Sequence, residues 1–409
     1  MSFKKRNYVI AEVSKKAERS LQLGHPWIFD AEVTSLDGKV TDGDIVDVVS
    51  SRGRYMGSGF YNSNSKIRIR LISRNANDRF DSAFFERRIR YAWQYRKTVM
   101  GSDLDCCRVI FGEADIFPGL TVDKFHDILV VQTLSLGMEL RKDIIFPLLY
   151  KVLTEDGFSI RGIYERNDVK VRELEGMTQG KGFYPIEGIE TPLSTNVIIT
   201  ENGIKYNVDF ENGQKTGFFL DQKYNRLAAG RLAEGRTVLD CFTHTGAFAL
   251  NCAKAGAKHV TAVDISEDAA AITRANAARN GFDNVEVLCA NVFDLLTELY
   301  ANGSSPYDYI ILDPPAFTKS SATVKSAVRG YKEINLKAMK LLPRGGYLAT
   351  CSCSHFMTDA LFRAMLHDAA ADAGVSLRQI EARQQSPDHP ILWNVPETDY
   401  LKFYLFQVV

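Results

Sequence analysis

Between residues 237 and 351, five short apolar runs alternate with helix-forming segments, and this alternation constrains the chain more than any other feature. The runs are Thr237–Cys241, His259–Asp264, Val285–Cys289, Tyr307–Asp313 and Gly346–Cys351. Helical patterns fall between them near 246–255, 267–280, 293–301 and 328–342. Alternation at this spacing predicts a mostly parallel sheet with helices on both faces, because parallel neighbours need a crossover. A predicted hairpin (Asn196–Thr200 with Ile204–Phe210) opens the zone. A helix near 357–373 and two late strands near 376–385 and 399–408 close it.

Two zones of different character lie ahead of it. Residues 1–75 carry short strand patterns punctuated by Gly38, Gly43, Gly53, Gly57 and Gly59, which predicts a small β-barrel. Within Ser65–Ser73, Lys66, Arg68 and Arg70 alternate with Ile67, Ile69 and Leu71. That stripe reads equally as a solvated face that resists edge pairing and as a row of phosphate contacts. In residues 76–190, Asp81 caps a predicted helix reaching Met100. Its apolar face is Phe84, Phe85, Ile89, Ala92 and Trp93, and its basic face is Arg87, Arg88, Arg90, Arg96 and Lys97. Strands near 106–111, 120–124, 127–134 and 160–165, with a helix near 139–154, make a small α+β unit. The expected domains are therefore 1–75, 76–190 and 191–409.

Charge is uneven along the chain. Lys and Arg equal Asp and Glu at 50 each, yet the first 100 residues hold 19 of the former against 11 of the latter. This asymmetry points to an anionic partner such as nucleic acid for the front, with Lys15, Lys16 and Arg19, like the stripe, as candidate contacts. No run approaches the ~18 apolar residues of a membrane span, and the N-terminus has no apolar signal core. A cytoplasmic protein without a membrane partner is expected. The seven Cys are odd in number and lack CxxC spacing, which argues against a disulfide framework and against a metal site. Cys106, Cys107, Cys252 and Cys289 read as packing residues.

Ligands of such sheets bind beyond the carboxyl ends of the strands. The first tip reads LDCFTHTGAF, with Asp240, Phe242, Thr243 and Gly246, and has no GxGxxG to cradle a pyrophosphate. A carboxylate at position 240 would repel a phosphate but suits an ammonium. Asp264 ends the second strand, where an acid accepts from ribose hydroxyls. Asn291, after the third, can bond an adenine edge, with Ile265 and Val292 flanking the ring. Ser266 follows Ile265 at the same tip. A phosphate-free nucleoside carrying an amino acid, S-adenosylmethionine, fits this set; ordinary helix caps are the bland alternative. In LDPPAF the Pro-Pro pair stops the strand and holds Asp313 where a base can dock. Cys351 and Cys353 close the last parallel strand, and a thiol there is either an inert core group or a nucleophile. In GFFLDQ, Phe219 and Gln222 either close over the cofactor or belong to the core. His244 reads as a loop residue rather than a base, and Lys319 as a solvated residue or a phosphate contact.

VLDCFTHTGAF, AVDIS, LDPPAF and TCSCS, in this order, resemble class I methyltransferases. With GHPWIFDAEV, GEADIFPGLTVDKF, YERND and GQKTGFFLDQ, nearly the whole chain resembles the ribosomal RNA cytosine-C5 methyltransferase family. That resemblance implies a PUA-like RNA-binding barrel, a middle region and a Rossmann-like S-adenosylmethionine-dependent domain. It also implies that Cys351 of the Thr350-Cys351-Ser352 motif adds to C6 of a cytosine, while Asp313 holds or protonates the N3 edge. Many relatives carry a second Cys after the DPP-type motif, where this chain has Ala316. A guanine-N7 methyltransferase on the same scaffold and a non-catalytic RNA-binding or ribosome assembly protein are the rival readings. A homodimer is admitted.

Overall fold

Six short strands and one helix build the front of the chain: β1 (Val9–Val13), α1 (Lys15–Gln22), β2 (Trp27–Phe29), β3 (Val33–Leu36), β4 (Ile45–Ser50), β5 (Tyr55–Tyr61) and β6 (Ile67–Ser73). In the computed structural model, which describes residues 6–303, 305–318 and 320–409, they join as a curled sheet ordered β2-β6-β5-β4-β1-β3. Lys319 lies outside the described residues. The core of this sheet contains Ala11, Val13, Leu21, Ile28, Val46, Val48, Ile69 and Leu71. The cation stripe is only partly a solvent face. Lys66 precedes β6 and is exposed, while Arg68 is half-buried and donates to Asn62 O. Arg70 sits between Glu175 Oε1 (2.9 Å) and Glu113 Oε1 (3.4 Å), because a guanidinium withdrawn from water needs acceptors.

The next elements are α2 (Ser82–Met100), β7 (Cys106–Phe111), β8 (Leu120–Phe125), β9 (Ile128–Thr133), α3 (Leu136–Glu139), α4 (Lys142–Glu155), β10 (Gly162–Arg166) and β11 (Lys181–Tyr184). Asp81 Oδ1 accepts from Phe84 N at 3.0 Å and caps α2, whose expected apolar face is buried. Arg96 departs from the expected basic face. It is fully buried, pairs with Asp115 at 2.5 Å and donates to the carbonyls of Arg108 and Asp388. The strands form a five-stranded sheet ordered β11-β10-β9-β8-β7. β9 and β10 run parallel and the other pairs antiparallel.

A hairpin, β12 (Asn196–Glu201) and β13 (Ile204–Asp209), leads to α5 (Lys223–Gly230) and the alternating zone. That zone runs β14 (Thr237–Cys241), α6 (Ala247–Lys254), β15 (His259–Asp264), α7 (Glu267–Asn280), β16 (Val285–Cys289), α8 (Val292–Ala301), β17 (Tyr309–Leu312), α9 (Val324–Leu341) and β18 (Tyr347–Ser352). It ends with α10 (Asp359–Ala373), β19 (Leu377–Arg383) and β20 (Lys402–Val408). The seven strands are ordered β16-β15-β14-β17-β18-β20-β19. The first five are parallel, and β20 is antiparallel to both its neighbours. Leu239, Ile310, Leu312 and Leu348 pack against Leu296, Tyr331 and Phe362 of α8, α9 and α10. Val238, Ala262, Ile311 and Ala349 pack on the opposite face against Ala228, Phe248 and Cys252 of α5 and α6. The expected α/β architecture is the one observed.

By internal contacts the chain divides into two units. The first takes the residues up to Ile199 with Val208–Leu220 and Pro387–Thr398; the second takes Thr200–Asn207, Asp221–Ser386 and Asp399–Val409. Among the described residues no helix is long and apolar enough to cross a membrane.

Candidate active site

Strand order reverses direction between β14 and β17, which opens a crevice beyond their carboxyl ends. Strand alternation then selects what faces it. Asp240, Asp313 and Cys351 each stand two residues beyond a buried residue of the α5–α6 side: Val238, Ile311 and Ala349. The register pairs Leu312 with Thr350, so Asp313 meets Cys351 at the next position.

Asp240 is fully buried. Its Oδ2 accepts from Thr243 Oγ1 (2.6 Å) and Ala249 N (2.9 Å), while Oδ1 has no partner among the described residues. Burial pushes this carboxyl up to about 7; the two hydrogen bonds oppose the shift and the charges of Asp313 and Asp264 add to it. Thr245 Oγ1 is also buried and has no partner among the described residues. The loop turns left-handed at Phe242 (φ 64°), His244 (φ 54°) and Gly246 (φ 83°). Such backbone is costly for residues other than glycine and clusters at functional sites. A Cβ on Gly246 would stand 2.7 Å from Thr273 Cγ2, so this glycine also lets α6 and α7 approach.

Asp264 Oδ2 accepts from His244 N (2.9 Å) and its Oδ1 from Ser266 N (3.0 Å), which fixes the carboxylate at the tip of β15. Ser266 Oγ caps α7 through Ala269 N. Ile265 is 70% exposed, an apolar side chain held out where a ring can lie on it. Asn291 Oδ1 caps α8 by accepting from Phe293 N at 2.9 Å, which leaves its amide nitrogen for other use. Val292 is in the core. Cys289 is exposed at the end of β16 rather than packed; its Sγ donates to Ile265 O.

Beside these, Gln222 Nε2 donates to Asp313 Oδ1 at 3.0 Å. Asn225 Nδ2 donates to Gln222 Oε1 (2.7 Å), and Arg383 Nε to Asn225 Oδ1 (3.2 Å). The Cys351 thiol bonds both Asp313 and Gln222. Its other flank lies among Phe248, Tyr309 and Phe403, and no part of the residue is exposed. Burial pushes the thiol well up, and the Asp313 charge adds to this. Asp313 is half-buried; its carboxyl is pushed up to about 6 by desolvation, against the charge of Arg226 and with that of Asp221. Arg226 is held in a buried pair with Glu201 (2.7 Å). Cys353 lies beyond the end of β18, half-buried. Phe219 belongs to the first unit, where Lys215 Nζ stands 4.8 Å from its ring centre.

Several groups here were not anticipated from the sequence: Thr245, Asn225, the Arg226–Glu201 pair and Lys402. Lys402 Nζ is buried, donates to Ser354 O (2.7 Å) and Tyr400 O (3.0 Å), and is brought down to about 8 by burial. Asn225 carried one usable signal, its spacing of three from Gln222 at the start of a helix, which places both on one face.

Residues 11–74 match the PUA-like domain family, and residues 187–407 match the S-adenosylmethionine-dependent methyltransferase family. Two solved structures share the fold: a Streptococcus mutans protein assigned as a SAM-dependent methyltransferase (TM-score 0.80) and SMU.776 complexed with SAH (TM-score 0.82). Each is 24% identical and covers 98% of this chain and 100% of its own, a likeness that shows the fold alone. The fold and the strand-tip site thus define an S-adenosylmethionine-dependent methyltransferase preceded by a PUA-like domain. Ribosomal RNA large subunit methyltransferase I of Klebsiella pneumoniae (strain 342) is 40% identical over 97% of this chain and 98% of its own length. The Aeromonas hydrophila protein of that name is 41% identical over 95% and 96%. The chain belongs to the ribosomal RNA large subunit methyltransferase I family.

The residues present fit the methyl donor. Asp240 Oδ1 and Thr245 Oγ1 are buried polar atoms still lacking a partner among the described residues, and a carboxylate with an open lone pair suits an ammonium.

Proposed function

We propose that this enzyme methylates C5 of a cytosine in large-subunit ribosomal RNA through a covalent adduct of Cys351. The curated relatives' name supports the RNA, and the adjacency of Cys351 and Asp313 at the strand tips supports the chemistry. Asp240 would take the ammonium of S-adenosylmethionine, Asp264 the ribose, and Ile265 and the Asn291 amide the adenine. Phe242, Thr243, Gly246, Ser266 and Val292 would shape that pocket. When bound, the donor supplies an electrophilic methyl on a sulfonium.

C5 of cytosine is a poor nucleophile. Addition of the Cys351 sulfur to C6, with a proton taken up at N3, makes C5 enamine-like; once C5 carries the methyl, a base takes its remaining proton and the thiolate leaves C6, which restores the ring. Asp313, raised to about 6, keeps a protonated fraction near neutral pH that can donate to N3. In the resting chain the Gln222 carboxamide bonds both Asp313 and Cys351, so the base must displace it. That displacement requires an unstacked base. Exposed Lys15, Lys16 and Arg19 on α1, with Lys66, would hold the surrounding RNA; Arg68 would add to them, and Arg70 would act only by positioning. Domains 1–75, 76–190 and 191–409 would then serve RNA binding, connection and methyl transfer, in the cytoplasm. Cys351→Ala should abolish methyl transfer and leave S-adenosylmethionine binding within about threefold by calorimetry; full activity without the thiol would favour guanine-N7 methylation, which needs no adduct.

A further inference from the structure

A cavity of about 540 Å³ lies in the first unit, far from being a mere crevice in size. Leu71, Ile72 and Leu392 give it apolar walls, and Arg74, Asn75 and Arg88 bring polar groups into it. Arg88 is the informative member. Its Nε is buried with no hydrogen-bond partner among the described residues. Burial lowers the guanidinium's hold on its proton, and Asp78 only partly offsets this. A buried donor without an acceptor is costly, so such a group in a cavity asks for a ligand oxygen. Arg74 points the same way. It donates to Leu21 O and His25 O and has no ion pair among the described residues. One acid, Glu113, lines the cavity, but it accepts from Trp27 Nε1 (2.9 Å) and Arg70 (3.4 Å). Large exposed aromatics adjoin the cavity residues in the chain. Trp393, between Leu392 and Asn394, is 95% exposed, and Tyr91, three residues after Arg88 on the same helix face, is 62% exposed. Guanidiniums lining the cavity, with exposed rings next to its lining residues along the chain, supply the two kinds of group that a single-stranded nucleic-acid platform uses.

We propose that this cavity seats a nucleotide of the substrate RNA other than the target cytosine, with a phosphate or base oxygen on Arg88 and a neighbouring base stacked on Trp393. This rests on the ribosomal RNA reading above. The apolar walls suit a base, the two guanidiniums suit its phosphate, and the cation excess of the first 100 residues supplies the long-range attraction.

The test uses the full chain with Arg88→Ala, Arg88→Lys and Trp393→Ala. Binding to large-subunit ribosomal RNA from cells lacking the gene is measured against salt, with unfolding temperature as a control. Arg88→Ala should weaken binding about tenfold and reduce the slope of log K against log salt by about 0.7–0.9. Arg88→Lys should keep the slope and lose part of the affinity. Trp393→Ala should weaken binding about tenfold with an unchanged slope, and its exposure keeps folding out of the comparison. Methyl transfer should show a raised KM at constant kcat. Wild-type affinity and slope in both alanine variants would overturn the cavity assignment while leaving the RNA reading intact. Absence of RNA binding by the wild-type chain would instead overturn that reading and the cavity with it.

Discussion

Asp240 combines complete burial, an oxygen without a partner among the described residues and a carboxyl pushed up to about 7. A carboxyl raised above its unfolded value stabilises the fold at low pH, and that contribution is lost as pH rises through about 7. Asp240→Asn should therefore raise the unfolding temperature of the ligand-free chain more at pH 8 than at pH 5.5, while weakening S-adenosylmethionine binding at least tenfold; a difference that shrinks with rising pH would contradict the assignment. Cys351 makes a second prediction. With Cys289→Ser and Cys353→Ser as background, its alkylation by iodoacetamide should be slow, because burial and Asp313 both suppress the thiolate. Gln222→Ala should speed it several-fold, and an unchanged rate would remove Gln222 as its cover. The acids and the thiol were legible because each ends a strand of the alternating zone. The Arg226–Glu201 pair and the contacts of Asn225 with Arg383 and Gln384 O were not, because their segments announce only a helix and a hairpin, and these partners lie far off in sequence. Reading Cys289 as a packing residue failed for a related reason: β16 is the sheet edge, where alternation does not guarantee a covering layer.

At the level of elements, the loop joining β14 to α6 turns left-handed at three residues and stores strain in the two that are not glycine, Phe242 and His244. Gly246→Ala meets both an unfavourable φ and Thr273 Cγ2, and should cost about 1–3 kcal/mol in urea unfolding. Thr273→Ser removes the clashing methyl but not the φ penalty, so the double variant should recover part of the loss. Full recovery would mean that the backbone carries no strain there, and no recovery that packing is irrelevant. The parallel strands were readable as apolar runs between helices, a pattern that survives without tertiary information. The short strands β1, β2, β3 and β11 were not, since three to five residues hold too few alternations to stand out. The α2 face shows the limit of periodicity from the other side. Arg96 has helical spacing with the solvent cations, yet Asp115 and two carbonyls draw it into the interior.

For the molecule as a whole, the first 100 residues carry the cation excess, residues 11–74 the PUA-like domain, and the strand tips after residue 237 the proposed methyl-transfer site. Nothing in local pattern signals that Val208–Leu220 and Pro387–Thr398 group with the first unit, because such membership is a property of contacts made after folding. Labelled methyl transfer to large-subunit ribosomal RNA from cells lacking the gene, followed by mass analysis of the nucleosides, examines donor, acceptor atom and substrate together. The expected product is 5-methylcytidine, formed by the wild-type chain and absent with Cys351→Ala; labelled N7-methylguanosine, or 5-methylcytidine formed undiminished without that thiol, would contradict it.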